Sequence, residues 1–121
     1  LPSHPQHALM QRQMRGASGL LAFGVKGGVK GGVKGGEAAG VAFIESAQFM
    51  SHLVNIGDTR TLISHPASTT HFRMDDAALV QAGITAGTIR LSIGLEDADD
   101  LIDDLKRALK VAANLPTAAG V

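Results

Sequence analysis

Two periods of apolar residue run along this chain, and each predicts its own elements. The cleanest two-residue period is TIRLSI at 88–93. Ile89, Leu91 and Ile93 fall on one side of a strand there, and Thr88, Arg90 and Ser92 on the other. The cleanest helical period lies at 97–110, where Ala98, Leu101, Ile102, Leu105, Ala108 and Leu109 form one stripe. The acids of that stretch gather toward its start, and Lys106, Arg107 and Lys110 toward its end, matching the helix dipole. EAAGVAFIESAQFM at 37–50 is apolar on nearly every side and predicts a buried helix. SGLLAFGV at 18–25 reads as a strand, as do the β-rich runs at 53–56 and 61–64, which the turn pair Gly57-Asp58 separates. A short helix is expected at 75–82, with Asp75 as N-cap and Gly83 just past its end. Another is expected at 5–15, with Ser3 or His4 near the cap and Gly16 beyond. The order αβαββαβα predicts a small α+β domain, with a mainly antiparallel sheet and its helices on one face.

Composition narrows the classes of function. At 121 residues and 45% apolar content the chain has the size and core of one domain. A formal net charge of zero removes the electrostatic case for a nucleic-acid or anionic-membrane binder. There is no cysteine, hence neither a disulfide frame nor thiolate chemistry, and the expected environment is reducing, that is, cytoplasmic. No apolar run approaches the roughly 18 residues of a membrane span. The first residues, LPSHPQHALMQRQMRG, lack a signal-peptide core and an initiator methionine, so the chain is read as a piece of something longer or a processed product.

The tract at 24–36, GVKGGVKGGVKGG, invites a phosphate-binding reading and does not support one. Each lysine follows valine, never glycine, as a P-loop would need, and no two of its glycines stand two apart, as a dinucleotide fingerprint would need. Interior glycines at about 1 kcal/mol each argue against a helix. A solvated loop is the expected reading.

Longer blocks carry a resemblance. LPSHPQHALMQRQM, FGVKGG, SHLVNIGDTRTLISHPASTTH and GITAGTIRLSIGLEDADDLIDDLKRAL together resemble the C-terminal part of the Cys/Met-metabolism enzymes that use pyridoxal phosphate, over about 1–112. The sulfhydrylases of O-acetylhomoserine and O-succinylhomoserine are the nearest members by these blocks. Methionine γ-lyase, cystathionine γ-synthase and the cystathionine lyases are cousins. The resemblance implies the small C-terminal domain of a fold-type I, aminotransferase-like enzyme. Residues 1–16 would then end an interdomain helix, 17–112 form the small domain and 113–121 a fraying tail. It implies one K-G-G element where this chain has three copies, as after a short tandem duplication in a surface loop. It also implies a homotetrameric parent in which the cofactor-bearing lysine, the acid facing the pyridine nitrogen and the main phosphate ligands lie in a large domain outside this chain. Lys26, Lys30 and Lys34 are not expected to replace that lysine, since a glycine-rich loop offers no desolvated pocket to lower an amine pKa. No cofactor ligand, metal ligand or catalytic residue is therefore assigned here.

What the resemblance does assign is substrate binding. The arginine of the R-L-S-x-G block grips the substrate α-carboxylate, and here it is Arg90, whose planar fork suits a carboxylate. From the residues alone, a solvated strand arginine is the commoner outcome. In VNIGDT the position of a carboxylate-orienting serine is held by Asn55, which keeps donors and an acceptor, and which on its own also suits the adjacent turn. Val54 stands where cystathionine-handling relatives carry an acid. That speaks against cystathionine and for γ-replacement on an O-acylhomoserine by sulfide or a thiol, with γ-elimination from methionine, or a non-catalytic α+β module, as alternatives. His65 and His71 flank PASTT at a spacing unsuited to zinc on one helix face, and are expected to be structural, as are His4 and His7.

Overall fold

Ile89 and Leu91, the inward pair of the clearest strand, are both fully buried, and the fold is built around them. The computed structural model describes residues 1–25 and 35–114. The middle of the VKGG tract and the end of the tail, both given to loop or frayed chain in the sequence reading, lie outside these. The described elements run α1 (His7–Gln13), β1 (Leu20–Gly24), α2 (Gly35–Ser46), β2 (Ser51–His52), β3 (Leu62–Ser64), α3 (Asp76–Gln81), β4 (Thr88–Ser92) and α4 (Ala98–Ala113), with a single 3-10 turn at Pro66–Ser68.

The sheet order is β1-β4-β3-β2. β4 is central and pairs antiparallel with β1 and β3, while β2 joins β3 parallel. The α+β class and the mainly antiparallel sheet follow as expected. On one face Phe23, Ile63, Ile89 and Leu91 meet Phe43 and Ile44 of α2 and Leu101, Ala108 and Ala112 of α4. Phe23 and Phe43 pack edge to face, with centroids 5.7 Å apart. The other face, carrying Ala22, Ser64, Thr88 and Arg90, opens into a cleft.

Several boundaries differ from the sequence reading. Residues 53–56 are not a strand; pairing is confined to Ser51 and His52, and the apolar Leu53, Val54 and Ile56 are exposed. α2 stops at Ser46 rather than continuing to Met50, because Asp104 of α4 accepts the backbone N–H groups of Gln48, Phe49 and Met50, each at 3.0 Å, and turns the chain away. The stripe of α4 is Leu101, Asp104, Ala108 and Ala112, with Leu105 half-buried, while Ile102 and Leu109 are exposed. Ile93 lies past the last ladder pair and is also exposed. α1 begins after Gln6, with neither Ser3 nor His4 as a side-chain cap, and buries none of its residues. Asp75 does cap α3, accepting from Ala78 N at 2.8 Å, and Gly83 follows at φ +74°. Among the described residues no helix is long and apolar enough to cross a membrane.

Candidate functional site

β4 supplies the site's main side chain because it is hydrogen-bonded on both edges. Arg90 pairs across to Ala22 on β1 and to Ser64 on β3. Two small neighbours on the same face leave room for a guanidinium to rise from the sheet. Around it lies a cleft of about 360 Å³, walled by β1 and closed at one end by Pro66, Thr70 and His71 and at another by Gly83 and Ile84. Among the described residues no carboxylate lines this cleft. The ion pairs among the described residues, Lys106–Asp103 and Arg107–Asp104, both lie on α4. The half-buried Arg90 thus has no charged partner among the described residues, and the cleft favours an anionic group.

Arg90 and Asn55 are brought together. Arg90 Nη2 donates to the backbone carbonyl of Asn55 at 3.3 Å, a contact across 35 positions of sequence. The Asn55 side chain is turned elsewhere: its Oδ1 accepts from the N–H of Ile56 at 2.8 Å. The contact between the two sites is therefore made by main chain, and it does not depend on the side chain at position 55.

The histidines separate. His65 is buried, with Nε2 2.6 Å from Ala86 O and Nδ1 2.7 Å from Ser68 Oγ. A carbonyl can only accept, so Nε2 carries a proton. His71 lines the cleft, its Nδ1 2.7 Å from Thr70 Oγ1. His4 Nδ1 accepts from Gln6 N at 3.1 Å. Among the described residues no three His, Cys, Asp or Glu side chains gather as metal ligands.

Two acids that hold the site's surroundings are not singled out by the sequence. Glu96, the last residue of the RLSIGLE block, accepts from both the N–H and the hydroxyl of the buried Thr61. Burial would raise its pKa, yet these two bonds hold it below the ordinary glutamate value. Asp104 is held below the ordinary aspartate value in the same way. Burial opposes the charge, and the N–H groups of Met50, Gln48 and Phe49, with the Arg107 guanidinium, outweigh it. A signal for Asp104 was present: an acid at the second position of the 101, 104, 105, 108 stripe, on the face that packs inward.

Arg90 thus rises from the central strand of a four-stranded α+β layer into a cleft that no carboxylate among the described residues lines. The model of the family described as Cys/Met metabolism PLP-dependent enzyme matches residues 1–110. The chain belongs to that family. It is 44% identical over 110 residues to O-acetyl-L-homoserine sulfhydrylase 1 of Thermus thermophilus, covering 90% of this chain and 24% of that protein. It is 41% identical over 113 residues to L-methionine gamma-lyase of Pseudomonas putida, covering 93% of this chain and 26% of the relative. Among solved structures, cystathionine gamma synthase from Xanthomonas oryzae pv. oryzae in complex with cystathionine superposes with a TM-score of 0.77 at 40% identity, covering 93% of this chain and 27% of that one. The fold is the small α+β part of an aminotransferase-like enzyme. The chain spans about a quarter of the length of the curated relatives it matches.

The family depends on pyridoxal phosphate. The described residues of this chain do not by themselves fit it. Lys106 stands exposed on α4, as does Lys110, and neither lines the cleft. Lys26, Lys30 and Lys34 lie outside the described residues.

Proposed function

We propose that the chain forms the substrate-carboxylate wall of a pyridoxal-phosphate enzyme that performs γ-replacement on an O-acylhomoserine. The observation that carries the proposal is Arg90: a guanidinium on the most constrained strand, without a carboxylate partner, facing a cleft of amino-acid size. Its fork holds the α-carboxylate in two parallel hydrogen bonds and so fixes the Cα–H bond of the substrate. The main chain at Asn55 orients that fork from the side. The cofactor, bound by the larger portion of the enzyme, supplies the electron sink. In the reaction the γ-carbon loses its bond to the acyl oxygen and gains one to the sulfur of sulfide or a thiol. An α1 that buries nothing within the described chain supports its reading as a helix packed against that larger portion.

Val54 favours this substrate class over cystathionine, since an apolar residue offers no partner to a distal ammonium. The identity to methionine γ-lyase keeps γ-elimination as the second reading.

The test is a chimera in which residues 1–110 replace the matching segment of the Thermus thermophilus relative. With cofactor bound, it should turn O-acetylhomoserine and sulfide into homocysteine faster than it degrades methionine. A chimera that binds the cofactor and acts on methionine alone supports the second reading. One that binds it and turns over neither substrate makes this chain a non-catalytic module.

A further inference from the structure

We infer that Glu96 is a positioning residue for Arg90, acting through Thr61 and the connection between β2 and β3. That connection, residues 53–61, has no strand of its own, and most of its side chains are exposed. Near its start lies the Asn55 carbonyl, which is the one protein acceptor of the Arg90 guanidinium among the described residues. Its end is tied by the segment that follows β4. Glu96 takes both the N–H and the hydroxyl of Thr61, the latter at 2.7 Å. The same hydroxyl accepts from Gly94 N at 2.9 Å, and Leu95 N donates to Thr59 O at 2.8 Å. Within the connection, Asp58 Oδ1 accepts from Arg60 N at 2.9 Å. On its other side Thr61 O accepts from Ser51 N at 3.0 Å, which joins the clamp to β2, where the connection starts.

Glu96 therefore fixes one end of a segment whose third residue touches the arginine, and makes no hydrogen bond to Arg90 itself. An arginine side chain has several rotatable bonds, and a single acceptor aims it only as well as that acceptor is held. Thr61 is saturated by design: its hydroxyl donates once and accepts once, and its N–H is taken. Loss of Glu96 leaves a buried N–H without a partner, and the segment must move to find one. The consequence for substrate binding rests on the carboxylate reading of Arg90; the link between Glu96 and the orientation of Arg90 does not.

The experiment is ¹⁵N NMR of the chain, following the Arg90 Nη–Hη signals, assigned by their loss in Arg90→Lys, and the amides of Asn55 and Ile56. In Glu96→Ala and Thr61→Val the two amides should shift and the Arg90 Hη protons should exchange with water about tenfold faster, as one lost hydrogen bond from Nη2 allows. Thr61→Ser, which keeps the hydroxyl, should resemble the native chain. Asp75→Ala, which removes the cap of α3 and touches no part of the 51–61 clamp, should leave the Arg90 signal in place, as a general loss of stability would not. If Glu96→Ala does not fold, the Thr61→Val and Thr61→Ser pair decides. Unchanged Arg90 exchange and unchanged amides at 55 and 56 in the folded variants overturn the proposal. A titration with acetate separates the two readings. An Arg90 signal that ignores acetate in the native chain removes the carboxylate role, while the exchange data still decide whether Glu96 positions Arg90.

Discussion

Gly40 of α2 lies against the imidazole of His65: a Cβ at position 40 would stand 2.7 Å from His65 Nε2. The same nitrogen donates to Ala86 O, so the helix, the β3 exit and the turn before β4 converge on one ring. Gly40→Ala has to displace either the helix or that hydrogen bond. Overpacking of this kind costs about 1–3 kcal/mol. A urea titration should show the midpoint fall with the slope unchanged; a midpoint equal to that of the native chain would remove the close contact.

Asp104 is 1% exposed and answers three consecutive N–H groups together with Arg107. A buried N–H left without its acceptor costs about 1–3 kcal/mol, and Asp104 serves three, whereas Arg107 is exposed and finds water. Asp104→Ala should reach this range, and Asp104→Asn should lose less, because one acceptor oxygen remains. Denaturant unfolding measures both. Equal stability of all three chains would mean that water serves the 48–50 amides as well as the carboxylate does.

Acid should unfold the chain through the same groups. Glu96 and Asp104 titrate in the folded chain below their ordinary values of 4.5 and 3.8, so the unfolded chain binds more protons in that region. Their stabilisation is complete above about pH 5 and is lost as pH falls through the depressed folded values. Urea midpoints taken from neutral to acid pH should drop along that limb. The drop should be shallower in Glu96→Gln and in Asp104→Asn, each of which starts from a lower plateau. Parallel limbs in all three chains would assign the acid sensitivity to other carboxylates.

In the chimera described above, Arg90→Ala should lower kcat/KM for O-acetylhomoserine by roughly 10²-fold or more, since truncating one partner of a desolvated charge pair costs about 2–5 kcal/mol. Arg90→Lys keeps the charge and loses the fork, and should fall less. The cofactor absorbance should be unchanged in both. Near-normal kcat/KM in Arg90→Ala would leave Arg90 as an ordinary strand residue. Asn55→Ala is expected to cost far less, because its contact with Arg90 uses the carbonyl that every residue carries.

The readable parts of this chain are those in which one period dominates. TIRLSI shows its buried pair plainly because a two-faced strand alternates strictly, and the structure buries Ile89 and Leu91 on one face while Arg90 lines the cleft on the other. The cap at Asp75 is legible because it is local. What stayed hidden is long-range. LVNI at 53–56 has the composition of a strand, but pairing is decided by a neighbour, and β3 offers partners only to Ser51 and His52. α2 looks able to run to Met50, and nothing nearby in sequence reveals that an acid more than fifty residues later ends it. Glu96 was visible within its block but without a role, because its partner Thr61 lies 35 residues earlier.

The bond between Asp104 and the 48–50 amides also orders events in time. These contacts span 54 to 56 positions, so during synthesis the first helix of the core is made long before the side chain that ends it. Until α4 has been made, the exit from α2 lacks its stop. Helical hydrogen bonding is free to continue toward Met50, and β2 lacks the turn that delivers it to β3. The central strand and α4 are adjacent in sequence and come late, so the contacts that close the sheet and those that end α2 become available together, after the first half has been made. A chain cut before α4 keeps all four strands and loses the acceptor of the 48–50 amides, so its β2 edge should be the part that fails to settle.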